Sequence, residues 1–233
     1  SVCLSKRFSP LLRNRTKYAY DGANRQVLKS AYVSGSLDHK EHTYYNQKWQ
    51  VLEVRKEVSG TEDPDPLEQY VWHPFYVDAP LLRDYDVSTS GTQVRYYYTF
   101  DANFNVTGLT DSSGTVVERY HYTPYGQLTV LDANFGTDLD GASDVANPVM
   151  YTGQRYDTKS GLYHFRNRYI HTQLGIFIGR DPTGYDGGSL NLSEYTLGNP
   201  LKHLDAYGTN PFCKNPCIGL GCGSQDALFD IVP

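Results

Sequence analysis

The chain has 233 residues and a formal net charge of -5. This acidic balance argues against nucleic acid as a partner, because proteins that bind nucleic acid carry a basic patch or stripe. No apolar run approaches the roughly 18 residues that a membrane span needs. Tyrosine is unusually common, with 21 copies against 9 Phe and 2 Trp. Its apolar ring and polar tip suit a sheet that has one wet face.

Four segments repeat one plan of strand, tight turn and strand, at residues 18–28, 43–53, 97–107 and 120–130. Aromatic residues come first, turn residues such as Asp, Asn, Pro and Gly come next, and alternating β-branched residues end each unit. Asx and Gly favour the turn, and the alternation is typical of a half-buried strand. We therefore predict an all-β fold of antiparallel hairpins over residues 1–131, wound into one continuous sheet.

Two stretches break this plan. Residues 60–66 are acidic and Pro-rich, which predicts a surface loop. Residues 132–150 predict a polar loop between the hairpins and the C-terminal third of the chain. Their spaced aspartates do not match the EF-hand pattern, so we expect no calcium site there.

The ends of the chain carry all four cysteines. The chain begins at Ser1 without a methionine, which favours a fragment or a processed product. The cysteines fit disulfides of an exported protein with three pairings open, or free thiols, and a Cys3 link to the tail is one hypothesis. The tail spacing also resembles a zinc site, but no histidine lies beyond His203, so we expect neither metal nor cofactor. The four are Cys3, Cys213, Cys217 and Cys222.

The second half of the chain carries a dense series of motifs. Residues 151–157 read YTGQRYD, residues 160–169 read SGLYHFRNRY, and residues 174–184 read LGIFIGRDPTG. Residues 151–209 resemble the core of Rhs repeat-associated proteins, and the upstream hairpins resemble YD repeats. A match of this length and order is far more specific than a short motif.

The resemblance implies a fold and a function. Members form a β-ribbon that spirals into a hollow shell, and the core curls inward as a C-terminal plug. In many members the core is an aspartyl autoprotease that releases an enclosed C-terminal region, often a toxin. The implied location is secreted or cell-surface. The implied partners are the upstream YD-repeat region or identical subunits, with the peptide of residues 210–233 as enclosed material.

The family's cutting site resembles a pair of Asp-Pro-x-Gly motifs and an upstream arginine. The first motif is intact at residues 181–184, and Arg168 matches the arginine. The second motif, at residues 205–208, has Ala206 in place of proline. Since alanine does not fix φ, we expect the turn that carries Asp205 to be misplaced. The candidate catalytic residues are therefore Asp181, Asp205 and Arg168.

Two carboxylates held close together cannot both ionise easily, so one acts as an acid and the other as a base. A nearby arginine would keep one of them charged. By resemblance, the cut falls just after Gly208, near Thr209 and Asn210.

Two alternatives stay open. Asp-x-x-Gly is an ordinary turn sequence, and Arg166 and Arg168 alternate with aromatic residues as surface charges on a strand do. We therefore interpret the chain as a structural part of an exported shell that encloses or displays a C-terminal segment, with or without self-cleavage after the core motif. The alternative is an adhesive or filament-forming extracellular surface subunit without proteolytic activity.

Overall fold

The computed structural model describes residues 14–87, 91, 93–137 and 141–209, and the backbone of residues 213–214. The first eleven strands are β1 (Arg15–Tyr20), β2 (Gln26–Val33), β3 (Ser36–Tyr45), β4 (Val51–Val58), β5 (Thr61–Glu62), β6 (Glu68–Trp72), β7 (Pro80–Asp86), β8 (Gln93–Phe100), β9 (Val106–Thr110), β10 (Val116–Tyr122) and β11 (Leu128–Asp132). The remaining strands are β12 (Arg155–Asp157), β13 (Leu162–Phe165), β14 (Arg168–His171), β15 (Ile176–Phe177), β16 (His203–Leu204) and β17 (Cys213–Lys214). Three short 3-10 helices span Tyr151–Gly153, Gly184–Gly187 and Thr196–Gly198. Within the described ranges, no helix has the length and apolar character needed to cross a membrane.

The strands form antiparallel sheets, which confirms the predicted all-β fold. The large sheet has 11 strands in the order β1-β2-β3-β4-β6-β7-β8-β9-β10-β11, and β5 pairs with β4. Apart from the two-residue strand β5, strands that follow one another in sequence are neighbours in the sheet, as expected of successive hairpins. Strands β12 to β15 form a second, four-stranded sheet, and β16 pairs with β17.

Three of the four predicted hairpin turns are closed by the same local hydrogen bonds, whereas in the fourth the Thr123 hydroxyl accepts only the Gln127 amide. At the β8–β9 turn, Asp101 Oδ1 accepts the main-chain N–H groups of Asn103 and Asn105, both at 2.9 Å. Phe104, in the same turn, has a φ of 57°. These bonds satisfy turn amides without help from distant parts of the chain. In four other turns a side-chain Oδ1 likewise accepts the main-chain N–H groups two and four residues later. The accepting residues are Asp21, Asn46, Asp111 and Asp132.

The hydrophobic core lies between the inner face of the large sheet and the small sheet. Phe165, Phe177 and Tyr195 are buried and pack edge to face, with ring centroids 5.4 to 5.7 Å apart. Val106 and Leu109 from β9 have no exposed surface. All five residues belong to one buried apolar cluster. Fully burying a side chain of this size stabilises the fold by about 1.5–3 kcal/mol, so this shared cluster holds the small sheet against the large one.

The segment predicted as a polar loop differs in its second half, because Val145, Val149 and Met150 are buried there. The buried carboxylate of Glu118 accepts Ser143 Oγ at 2.6 Å and the Asp144 amide at 2.8 Å. A carboxylate on β10 thus accepts hydrogen bonds from polar groups of the segment, which lets the segment's apolar residues pack on the sheet. Residues 60–66 are largely exposed, as predicted, although Thr61–Glu62 forms β5.

Candidate active site

The structure brings the three predicted catalytic side chains together. Nη2 of Arg168 lies 3.0 Å from Asp181 Oδ2 and 3.1 Å from Asp205 Oδ2. Arg168 is 4% exposed and Asp205 is 2% exposed. The reading of Arg168 as a surface charge is therefore wrong. One nitrogen that binds two carboxylates keeps both of them close to a single point.

Asp181 is oriented by its own turn. Its Oδ1 accepts the Thr183 amide at 2.8 Å and the Thr183 hydroxyl at 2.5 Å, so Oδ2 remains for Arg168. The Asp181 amide donates to the Leu192 carbonyl at 2.8 Å, and the Gly184 amide closes the turn onto the Asp181 carbonyl at 3.0 Å. The intact Asp-Pro-x-Gly sequence thus forms a rigid support for one carboxylate.

The second turn, residues 205–208, is held by the β13–β14 hairpin. Gly208 has a φ of 68°, and an added Cβ would overlap the Phe165 carbonyl oxygen, so this position requires glycine. Three successive residues of the hairpin donate side-chain hydrogen bonds to three successive carbonyls: Arg166 to Ala206, Asn167 to Tyr207 and Arg168 to Gly208. The expectation that Ala206 would leave Asp205 misplaced is therefore wrong, because these donors replace the restraint of a proline.

The peptide group between Gly208 and Thr209 is bound on both sides. Arg168 Nε donates to the Gly208 carbonyl oxygen at 2.5 Å. Asp205 Oδ1 accepts the Thr209 amide at 2.9 Å. A cation thus lies at the oxygen of this bond and a carboxyl group lies at its nitrogen. Asn210, the third residue of the predicted cleavage region, lies outside the described residues.

Burial sets the electrostatics of the site. It lowers the pKa of the Arg168 guanidinium, while the carboxylates of Asp205 and Asp181 oppose that change. Arginine stays protonated in proteins, so the group remains a cation. The guanidinium carbon Cζ of Arg168 lies 3.7 Å from the ring centre of Phe177, which is a cation–π contact.

A small cavity borders Asp181 and Arg168. Its volume is about 10 Å³, and Ser189, Asn191 and Glu194 complete its polar lining. A polar cavity of this size is at the lower limit for one water molecule. Ser189 Oγ donates to Glu194 Oε2 at 2.6 Å. This bond joins two of the residues that line the cavity.

Sequence reasoning missed two residues next to the site. Arg166, read as a surface charge, is 7% exposed, and its Nη2 lies 2.5 Å from Oδ1 of Asp78. Asp78 lies between β6 and β7 and is 3% exposed. The only signal in the sequence is its place between two apolar residues, Val77 and Ala79, where an unpaired charge would be unfavourable.

The cysteine predictions remain predictions. Cys3, Cys217 and Cys222 lie outside the described residues, and of Cys213 only the strand backbone in β17 is described. Among the side chains that the structure does describe, no three His, Cys, Asp or Glu are grouped to hold a metal ion.

Comparison with known proteins gave relatives for most of the chain, although no family model matches it. The tRNA3(Ser)-specific nuclease WapA of Bacillus spizizenii is 34% identical over 194 residues, which is 82% of this chain and 7% of that protein. The toxin protein Tse5 of Pseudomonas aeruginosa is 38% identical over 63 residues, 27% of this chain and 5% of that protein. A crystal structure of TcdB2-TccC3 matches with a TM-score of 0.64 and 22% identity, over 88% of this chain and 10% of that one.

The fold and the site define an antiparallel β-hairpin repeat protein that is closed by a compact C-terminal core. The chain belongs to the Rhs/YD-repeat proteins and includes their C-terminal core region. It spans only 5% to 7% of the length of the WapA and Tse5 relatives. The likeness to the TcdB2-TccC3 structure concerns the fold alone.

Proposed function

We propose that the chain is the C-terminal part of an exported Rhs/YD-repeat toxin carrier, and that its core cleaves the bond after Gly208. The observation that carries this proposal is the peptide group bound at its oxygen by Arg168 and at its nitrogen by Asp205. The names of the relatives, a nuclease and a toxin protein, support the toxin-related role. The large sheet would form part of an enclosing wall that continues the hairpins of the upstream region.

Arg168 is placed to stabilise the charge that develops during cleavage. When a nucleophile adds to the Gly208 carbonyl carbon, negative charge moves onto the oxygen that already receives Arg168 Nε. A preoriented donor in a buried site stabilises such an oxyanion strongly, because it needs no reorganisation.

The two carboxyl groups take different roles because they face different atoms. Asp181 borders the water-sized cavity and acts as the base that removes a proton from water. Water oxygen then bonds to the Gly208 carbon. Asp205, whose carboxylate accepts the Thr209 N–H, takes over that water proton from Asp181 and gives it to the Thr209 nitrogen as the C–N bond breaks. The products are a carboxyl group on Gly208 and an amine on Thr209, and each chain reacts once.

Intact-mass spectrometry of freshly purified chain, sampled over hours, tests the proposal. We expect a fragment that ends at Gly208, and Asp181→Asn should slow its formation by about 10²–10⁴-fold, the usual contribution of an acid–base group. Asp186→Asn is the matched control, since this residue lies in the adjacent 3-10 helix Gly184–Gly187 and is not among the three candidates. Wild-type chain that stays intact, or equal rates in both variants, would contradict the proposal.

A further inference from the structure

We propose that Asp78 is a positioning residue for this cleavage, acting through Arg166, so that the bond is cut only when the core is seated on the hairpin sheet. The inference rests on the proposed self-cleavage. Asp78 belongs to the repeat region, between β6 and β7, whereas Asp205 belongs to the core. A contact between these two regions therefore reaches the reacting peptide.

The first link is a bidentate ion pair that crosses from the sheet to the core. Nη2 of Arg166 lies 2.5 Å from Asp78 Oδ1, and Nη1 donates to Asp78 Oδ2 at 3.2 Å. Both side chains are buried. Two parallel bonds between planar groups fix orientation as well as distance. Asp78 therefore sets the direction of the Arg166 guanidinium.

The second link joins Arg166 to the turn that carries the acid. Its Nη1 also donates to the carbonyl oxygen of Ala206, the residue immediately after Asp205. Gln154 braces both ends of this link, since its Nε2 donates to Asp78 Oδ2 at 2.8 Å and lies 3.5 Å from the Ala206 oxygen. The backbone next to Asp205 is thus tied to Asp78 of the repeat region through two side chains, Arg166 and Gln154.

The backbone around this link is held in unusual conformations. Arg166 has a φ of 52° in the two-residue turn between β13 and β14, where Gly, Asn or Asp are normally preferred. Gly153 has a φ of 72°, and an added Cβ would overlap the Asp78 carbonyl oxygen. Strained backbone persists only where its surroundings over-determine it. For Arg166 those surroundings include its ion pair with Asp78. Gly153 is not strained, since glycine adopts a positive φ freely, but its missing Cβ lets the Asp78 segment approach closely.

This arrangement makes cleavage dependent on docking of the core. When the C-terminal core is not yet packed on the sheet, Arg166 has no contact with Asp78 and its guanidinium has no fixed direction. The 205–208 turn then loses one of the three side-chain donors that the β13–β14 hairpin supplies. Displacement of a reacting group by about 1 Å can slow a reaction by about 10²-fold. The peptide would then be cut late, after the enclosing wall has formed.

The test compares cleavage rates of the full chain carrying Asp78→Asn with those of Glu68→Gln. Glu68 is the matched control because it forms an equally buried ion pair with Arg83, at 2.9 Å, that does not contact the 205–208 turn. We expect Asp78→Asn to cleave about 10²-fold more slowly and Glu68→Gln to cleave at nearly the wild-type rate. A wild-type rate in Asp78→Asn, or equal slowing in both variants, overturns the inference.

A second measurement does not need cleavage. In the Asp181→Asn background, hydrogen exchange of the Thr209 amide reports its bond to Asp205 Oδ1. Asp78→Asn, and the pair Asp78→Asn with Arg166→Gln that leaves no unpaired charge, should both speed this exchange, whereas Glu68→Gln should not. If wild type does not cleave, the proposed function fails, and faster exchange still supports the positioning role. Unchanged exchange overturns it.

Discussion

Substitution of Gly153 by alanine should destabilise the protein far more than the same change at Gly114. Both glycines have a left-handed backbone, with φ of 72° and 83°. An added Cβ at Gly153 would overlap the Asp78 carbonyl oxygen, whereas Gly114 has no atom within 4 Å of that position. The comparison therefore separates the cost of the overlap from the cost of the backbone conformation.

The expected magnitudes come from these two costs. A left-handed backbone costs an L-residue about 1–2 kcal/mol, which is the whole effect at Gly114. At Gly153 the Asp78 backbone must also move, and Asp78 then leaves Arg166. Breaking a buried ion pair costs about 3–5 kcal/mol, so Gly153→Ala should lose roughly that much more than Gly114→Ala. For a chain of this size the two melting temperatures should differ by roughly 6–20 °C.

Urea unfolding monitored by tyrosine near-UV circular dichroism, with thermal melts on the same samples, measures the difference. Gly153→Ala should also show the faster Thr209 amide exchange expected of Asp78→Asn, because it displaces the same carboxylate. Free energies of unfolding within about 1 kcal/mol of each other in the two variants would refute the reasoning, since the overlap would then have been relieved without moving Asp78.

Two further predictions concern ionisable groups that are buried or half-buried. His164 is half-buried, and the loss of solvent around it lowers its pKa to about 4. Because the unfolded chain titrates near 6.5, it binds a proton that the native state does not. The free energy of unfolding should therefore fall by up to roughly 3 kcal/mol as the pH drops from about 6.5 to about 4. Urea titrations across that range should show a flatter profile in His164→Gln, and an unchanged profile would contradict the assignment. Glu118→Gln removes the carboxylate that accepts hydrogen bonds from the Ser143 hydroxyl and the Asp144 amide. The free energy of unfolding should fall by about 1.5–3 kcal/mol, and proteolysis of residues 141–147 should become faster. Glu53→Gln, which removes a partly exposed pair with Arg55, should cost less than about 1 kcal/mol and serves as the control.

The hairpins could be predicted from the sequence because their determinants are local. An Asp such as Asp101 bonds to amides two and four residues later, so the turn is encoded within five residues. The predicted catalytic residues came from the resemblance to a known core, which preserves their order along the chain. Local sequence alone favoured ordinary turns and surface charges at Arg166 and Arg168, since a strand residue's partners are set by distant segments.

The sequence by itself thus determined the antiparallel hairpins and the family, and it predicted Arg168, Asp181 and Asp205 as the candidate catalytic residues. Only the tertiary structure decided that one arginine binds both carboxylates, and that Asp78 contacts Arg166 across 88 residues of chain. The physical reason is burial. Side chains that are polar in sequence become buried only when two sheets pack, and each must then find a partner wherever the fold brings one.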